Sequence, residues 1–165
     1  MQMPTSKLFC AAAIAFTLWS SAFAQTPVTA NPEQASLLAS SDPTLAANKR
    51  LVYDFWREVF ESGQVALVDK YVAESYIQHN PNVPNGRAAL VGFVSRRHPV
   101  PQPVADRVKA PLVSIAAERD LVILSFVREY PDPKDATQKY TTTWFDMFRI
   151  ENGKIVEHWD SALRQ

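Results

Sequence analysis

The chain has 165 residues, 47% of them hydrophobic, with seventeen basic residues against seventeen acidic ones. That length favours one domain, and the apolar fraction is ordinary for a folded one. The charge balance gives no basis for binding nucleic acid or an anionic membrane surface.

The first segment, residues 1–24, has the grammar of a secretory signal peptide. Lys7 supplies a positive start, Leu8 to Trp19 is an apolar run, and Ala22-Phe23-Ala24 forms a small-residue cleavage site. A dozen apolar residues are too few to span a bilayer. The sequence therefore predicts cleavage after Ala24, a periplasmic or secreted protein, and no membrane attachment afterwards. Cys10 precedes most of the apolar run, so it does not sit where a lipidated cysteine would. The mature chain then holds no cysteine, hence no disulfide or thiolate chemistry.

Residues 25–42 are rich in Thr, Pro, Asn, Ser and Gln and read as a flexible lead-in, with Leu37-Leu38 as a docking point. The folded domain is expected over 43–165. Asp42-Pro43 is a helix start, an acidic cap with proline at the first position. Apolar residues at 51, 52, 55, 56, 59 and 60 give one wide helical face up to Ser62-Gly63. A short helix follows over about Gln64 to Val72. The stretch "ESYIQHNPNVPNG" leaves helical periodicity and reads as a loop. A third helix runs from Gly86 to about Arg97, ended by "HPVPQPV". From Asp106 onward the pattern becomes strand-like: two strands joined at Arg119-Asp120, a third in "KYTTTWFDMFRI", and a fourth in "KIVEHWDSALR". Helices first and a strand meander afterwards predict an α+β fold, a curved antiparallel sheet with the N-terminal helices packed over its concave face.

The last turn, Asn152-Gly153, permits two hairpins. A two-residue type I′ turn pairs Glu151 with Lys154, whereas a three-residue loop with left-handed Gly153 pairs Ile150 with Lys154. The longer loop is favoured here, because glutamate tolerates positive φ poorly. In that register Asp146 faces His158 and Trp144 faces Asp160, all on one face with Phe148 and Val156, Cβ atoms of opposite residues lying about 5 Å apart. In the shorter form Asp146 faces Trp159, and His158 and Asp160 turn to the other side. An aromatic face carrying Asp, His and Asp suits a pocket floor; the plainer alternative is a solvated acidic pair beside a surface histidine.

Two segments, "YIQHNPNVPNGRAALVGF" (76–93) and "TTWFDMFRIENGKIVEHWD" (142–160), resemble the SnoaL-like polyketide cyclase branch of the NTF2-like superfamily, and within it the SnoaL-like proteins predicted to catalyse aldol condensation. The order of elements matches over roughly Asp42 to Arg164. The resemblance implies a cone-shaped α+β barrel with a deep apolar pocket, a homodimer, and cofactor-free acid/base chemistry on a small apolar carbonyl ligand (an aldol-type cyclase, lyase or isomerase). It implies a catalytic aspartate on the last strands, matched here by Asp146 or Asp160, with His158 orienting it and His79 closing the pocket from the loop side. Tyr53, Trp56, Tyr76, Phe93, Phe126 and Trp144 are the expected walls. Aldol chemistry needs a base beside a carbonyl and a donor for the enolate oxygen. Against these roles stand plainer ones: His79 as a turn cap, Trp56 as core, and the whole protein as a non-catalytic binding or dimerisation module on the same fold. No cofactor and no metal is expected, since no single element carries ligand-spaced histidines.

Overall fold

The computed structural model describes residues 25–165. The expected signal peptide lies outside the described residues. Among the described residues no helix is long and apolar enough to cross a membrane.

The lead-in is docked rather than loose. Its 3-10 helix, Gln34–Leu38, buries Gln34 and Leu38. Tyr53 Oη donates to Gln34 Oε1 at 2.8 Å, and Gln34 Nε2 donates to the Val108 carbonyl at 3.0 Å. Each of these contacts joins residues far apart in sequence, so composition alone could not reveal them.

Helix α1 spans Pro43–Phe55. Asp42 Oδ1 accepts the Thr44 and Leu45 backbone N–H groups at 2.7 and 3.3 Å, the N-cap that the sequence predicts. The helix widens into a π-type segment, Trp56–Glu61, and stops at Gly63 with φ +71°. A short helix α2 covers Val68–Tyr71, and α3 covers Arg87–Arg97. The strands are β1 Val72–Gln78, β2 Leu112–Glu118, β3 Leu121–Pro131, β4 Lys139–Glu151 and β5 Lys154–Asp160.

They form one five-stranded sheet in the order β1-β5-β4-β3-β2. Register shifts interrupt the β1–β5, β2–β3 and β4–β5 ladders, and such bulges bend strands and raise twist. The sheet curves but stays open, with β1 and β2 as edges, so the expected closed barrel is not formed. Nor is it wholly antiparallel, because β1 runs parallel to β5. Strand β1 occupies part of the stretch expected to be a loop. Its only fully buried residues are Val72 and Tyr76, and its pairing partner lies some eighty positions away, so no local alternation announces it.

Val52, Phe55, Trp56 and Val59 from the first helical stretch pack on Val122, Leu124 and Phe126 of β3 and Phe148 of β4. Phe55 meets Phe148 edge-on at 6.0 Å, and Trp56 stacks on Phe126 at 4.7 Å. The helices therefore cover one face of the sheet, and the even-numbered residues of β3 and β4 point beneath them.

The last hairpin uses the two-residue turn, not the favoured three-residue loop. Asn152 and Gly153 have φ +49° and +70°, and Glu151 pairs with Lys154. Positive φ thus falls on Asn152 and Gly153, which accept it, and Glu151 never has to adopt it. One step further along, Ile150 pairs with Ile155 but Arg149 with Glu157, leaving Val156 as an extra residue on β5. That bulge reverses the parity of β5 beyond it. Phe148 now faces His158 and Asp146 faces Asp160. The cluster forms, by a register that neither expected hairpin contained.

Gly63 and Gly153 both sit at positive φ, but a Cβ on Gly63 would lie 2.5 Å from His98 Cβ, while one on Gly153 meets nothing within 4 Å. Gly153→Ala should cost about 1 kcal/mol from backbone strain alone, and Gly63→Ala about 2–4 kcal/mol once the clash is added. Urea unfolding of both variants checks this; equal losses would contradict the packing of His98 on Gly63.

Candidate functional site

Under the helices, the concave side of β1, β5 and β4 encloses a cavity of about 70 Å³. Phe55, Trp56, Phe60, Val83, Leu90, Phe93 and Phe148 make its apolar wall, and Tyr76, Gln78, Asn80, Asp146, His158 and Asp160 its polar side. With roughly 10–15 Å³ needed per water, it has room for a few waters or for the reacting end of a small ligand.

Asp146 and His158 are 4% and 7% exposed. Asp146 Oδ1 lies 3.1 Å from His158 Nε2, and the other ring nitrogen, Nδ1, lies 2.8 Å from Gln78 Oε1. The Asn80 backbone N–H also donates to Gln78 Oε1 at 2.9 Å, and Gln78 Nε2 donates to Tyr76 Oη at 3.1 Å. A backbone N–H can only donate, so the oxygen of the Gln78 amide is fixed toward Asn80 and His158. His158 Nδ1 must therefore carry a hydrogen. The bond between Nε2 and Asp146 Oδ1 then holds a single proton, either as neutral carboxylic acid and imidazole or as carboxylate and imidazolium.

Asp146 Oδ2 is buried with no hydrogen-bond partner among the described residues. Burial is the main cause that raises the Asp146 carboxyl above its ordinary value; the bond to His158 pulls the other way, and the neighbouring Asp160 adds to the rise. Asp160 is differently placed. It is only half-buried; Oδ2 accepts from Asn80 Nδ2 at 2.7 Å, and Oδ1 accepts the Ala162 N–H at 2.9 Å. Tyr76 is buried, and burial followed by the charges of Asp160 and Asp146 pushes its phenol well up, so its hydroxyl stays protonated. That oxygen accepts from Gln78, and its own hydrogen meets no acceptor among the described residues.

The residues lining the cavity thus include a buried acceptor without a partner, Asp146 Oδ2, and two donors without an acceptor among the described residues, the Tyr76 hydroxyl and Trp56 Nε1. Such an acceptor and donor can take a proton from a carbon acid and hold the oxygen that becomes negative. Asp146, His158 and Asp160 also each present a ligand atom within 4.8 Å of the others, the one cluster among the described residues that could hold a metal ion. A cation there would compete with the hydrogen bonds that already engage both His158 nitrogens and both Asp160 oxygens.

Of the four residues expected to act, Asp146, His158 and Asp160 share the cavity and His79 does not. His79 lies on the outer face, where Nε2 is 2.8 Å from Glu157 Oε1 and the ring stacks on Trp159 at 5.0 Å. Even parity in β5 beyond the bulge points His158 inward; His79, which follows Gln78 in the chain, points outward. Of the expected walls, Trp56, Tyr76 and Phe93 line the cavity. Tyr53 instead bonds Gln34 and accepts the Val108 N–H at 3.2 Å. Phe126 lies behind Trp56, and Trp144 packs under Arg128 at 4.9 Å. Gln78 and Asn80 were not singled out from sequence as site residues. Reading 76–80 with period two, Tyr76-x-Gln78-x-Asn80, would have placed all three on one side, but the segment reads as a loop.

The fold is thus an open, curved α+β sheet with helices over one face and a buried Asp–His pair in an apolar cavity. The chain belongs to the SnoaL-like domain family, whose pattern matches residues 52–158, more than half of its length. Among solved structures, a candidate polyketide cyclase of Acidithiobacillus ferrooxidans is similar at 16% identity and TM-score 0.50, covering 74% of this chain and 89% of that one. A SnoaL-like candidate polyketide cyclase of Jannaschia sp. CCS1 is similar at 13% identity and TM-score 0.50, covering 74% and 91%. An LEH-like epoxide hydrolase of M. tuberculosis is similar at 14% identity and TM-score 0.47, covering 69% and 80%. At these identities the likeness concerns the fold. Comparison with curated proteins gave no match.

The raised Asp146 carboxyl has a consequence for stability. The folded chain keeps this proton above the pH, about 3.9, at which the unfolded chain releases it. Between the unfolded and the raised folded value, folding takes up a proton, so this group's contribution falls as pH rises. Asp146→Asn keeps a donor for His158 Nε2 and removes the carboxylate. The variant should gain stability relative to the parent as pH rises from 4 to 8, read from urea unfolding across that range. A variant that loses stability as pH rises would contradict a raised Asp146.

Proposed function

We propose that the protein is a cofactor-independent acid/base enzyme that forms or breaks a carbon–carbon bond beside a carbonyl, an aldol-type cyclase, lyase or isomerase acting on a small, mostly apolar carbonyl compound. The observation that carries this reading is Asp146 Oδ2, a buried oxygen without a partner, sharing a cavity with the free hydroxyl hydrogen of Tyr76.

In the proposed step, Oδ2 takes the proton from the carbon beside the substrate carbonyl. From the carboxylate–imidazolium form the proton simply adds to Oδ2. From the neutral form, Oδ1 passes its proton to His158 Nε2 as Oδ2 accepts the new one. Both routes end at the same state: neutral Asp146, an imidazolium at His158, and an enolate whose oxygen is held by Tyr76. The imidazolium balances the enolate charge inside an apolar wall, where a charge pair is worth more than in water. The enolate carbon then attacks a second carbonyl, and Asp146 returns its proton to the alkoxide formed. His158 and Gln78 act as positioning residues, with Asp160 holding Asn80 in place. Asp146, rather than Asp160, is the base in this reading, because both Asp160 oxygens already accept hydrogen bonds.

Two further proposals go with it. Export follows from the apolar run and Ala22-Phe23-Ala24. Homodimerisation would use the outer sheet face, where Ile123, Phe145, Met147 and Trp159 border one apolar hollow and Phe145 is 53% exposed.

The test is turnover of a panel of β-dicarbonyl and polyketide-like compounds. Asp146→Asn should remove activity with an active parent. Tyr76→Phe should lower kcat by roughly 10²–10³, the range for loss of one oxyanion donor, with little change in KM. Unchanged turnover in Asp146→Asn would overturn the assignment.

A further inference from the structure

Beside the first cavity lies a second, of about 260 Å³. Trp56 and Phe60 line both, with ring centroids 4.3 Å apart, and so lie where the two spaces meet. Phe126, stacked on Trp56, is its aromatic floor. The rim is cationic: Arg97, Lys109 and Arg128 border this space. Among the described residues none of the three has an acidic partner. Arg97 lies over the Phe60 ring at 5.2 Å and Arg128 over Trp144 at 4.9 Å, contacts that orient a guanidinium without neutralising it.

The one acidic residue of this lining, Glu61, is already used. Its two oxygens accept the backbone N–H groups of Lys109 and Ala110, each at 2.8 Å. His98 Nε2 is 3.0 Å from the Phe60 carbonyl, and that bond turns it toward the backbone. Trp56, 6% exposed, leaves Nε1 buried with no acceptor among the described residues. An aromatic slot bordered by three cations that form no ion pair among the described residues, against one carboxylate bonded to backbone N–H groups, suits an amphipathic anion. A planar guanidinium suits a carboxylate in particular, since it can bind both oxygens at once.

We propose that this second cavity is an anion subsite of the same active site, holding the carboxylate of a small apolar acid whose carbonyl end reaches Asp146 past Trp56 and Phe60. That the acid is a substrate rests on the acid/base reading above; the binding of the anion does not. The substrate class thereby narrows from apolar carbonyl compounds to oxo acids.

Calorimetric titration at low salt with 2-naphthoate and with its uncharged counterpart 2-naphthamide tests this directly. The parent should bind the acid about tenfold or more tightly than the amide, the scale of one charge-assisted contact. The double variant Arg97→Gln, Arg128→Gln should erase that preference while leaving the amide's affinity unchanged. Asp146→Asn should retain the preference whatever it does to turnover, which separates failure of the acid/base reading from failure of the subsite. Equal binding of acid and amide, a preference that survives in the double variant, or no binding of 2-naphthoate at millimolar concentration would each overturn the proposal. Both arginines are exposed, and the thermal unfolding midpoint of the double variant verifies that it is folded.

Discussion

The hydrogen bond from the Asn80 backbone N–H to Gln78 Oε1 determines which end of that amide faces His158. With the oxygen fixed there, the imidazole must present N–H at Nδ1 and meet Asp146 through Nε2. A buried carboxyl in an apolar wall is costly when it is ionised alone. Here it shares one proton with a ring that can carry the charge, and its second oxygen is buried without a partner among the described residues. The polar side of the site is thus a chain, Tyr76 to Gln78 to His158 to Asp146, with its free donor at one end and its free acceptor at the other.

The sheet makes that chain possible. Tyr76, Gln78 and Asn80 come from β1 and the residues just beyond it; His158 and Asp160 come from β5, and Asp146 from β4. Strand β1 lies parallel to β5 with Gln78 opposite His158. The extra residue Val156 gives β5 the parity that sets His158 and Asp160 beside Phe148 and Asp146. Without that bulge the same turn would send them to the outer face, where His79, Glu157 and Trp159 already lie. Helix α1 and its π-type end then close the cavity with Phe55, Trp56 and Phe60.

Much of the fold is legible in the sequence because it is locally encoded. Asp42-Pro43 announces a helix start, Gly63 its end, and alternating apolar residues the long strands. What escapes is non-local. The strand at Val72–Gln78 pairs with β5, and the lead-in is held by distant partners, Gln34 by Tyr53 and Val108 and Asn31 by Leu112. The site was half legible: Asp146, His158 and Asp160 stand out as polar residues on aromatic strands, and the "YIQHNP" stretch draws attention to the right place. It also drew attention to the wrong residue, since His79 is the most reactive group in that stretch on chemical grounds but points away, while Gln78 next to it faces the pocket. The bulge at Val156 has no sequence signature of its own. The two-residue turn and the extra residue at Val156 together restore the parity of the three-residue loop, which is why the cluster forms although the preferred hairpin does not.

The central claim is the protonation pattern of His158, because both the proton count of the Asp146 pair and the proposed chemistry follow from it. Two-bond nitrogen–proton correlation NMR on protein labelled with nitrogen-15 in histidine reads that pattern directly. The hydrogen bonds call for a His158 ring protonated at Nδ1, with Nε2 either bare or sharing the Asp146 proton. A neutral ring carrying its proton on Nε2, with Nδ1 bare toward Gln78, would contradict this pattern.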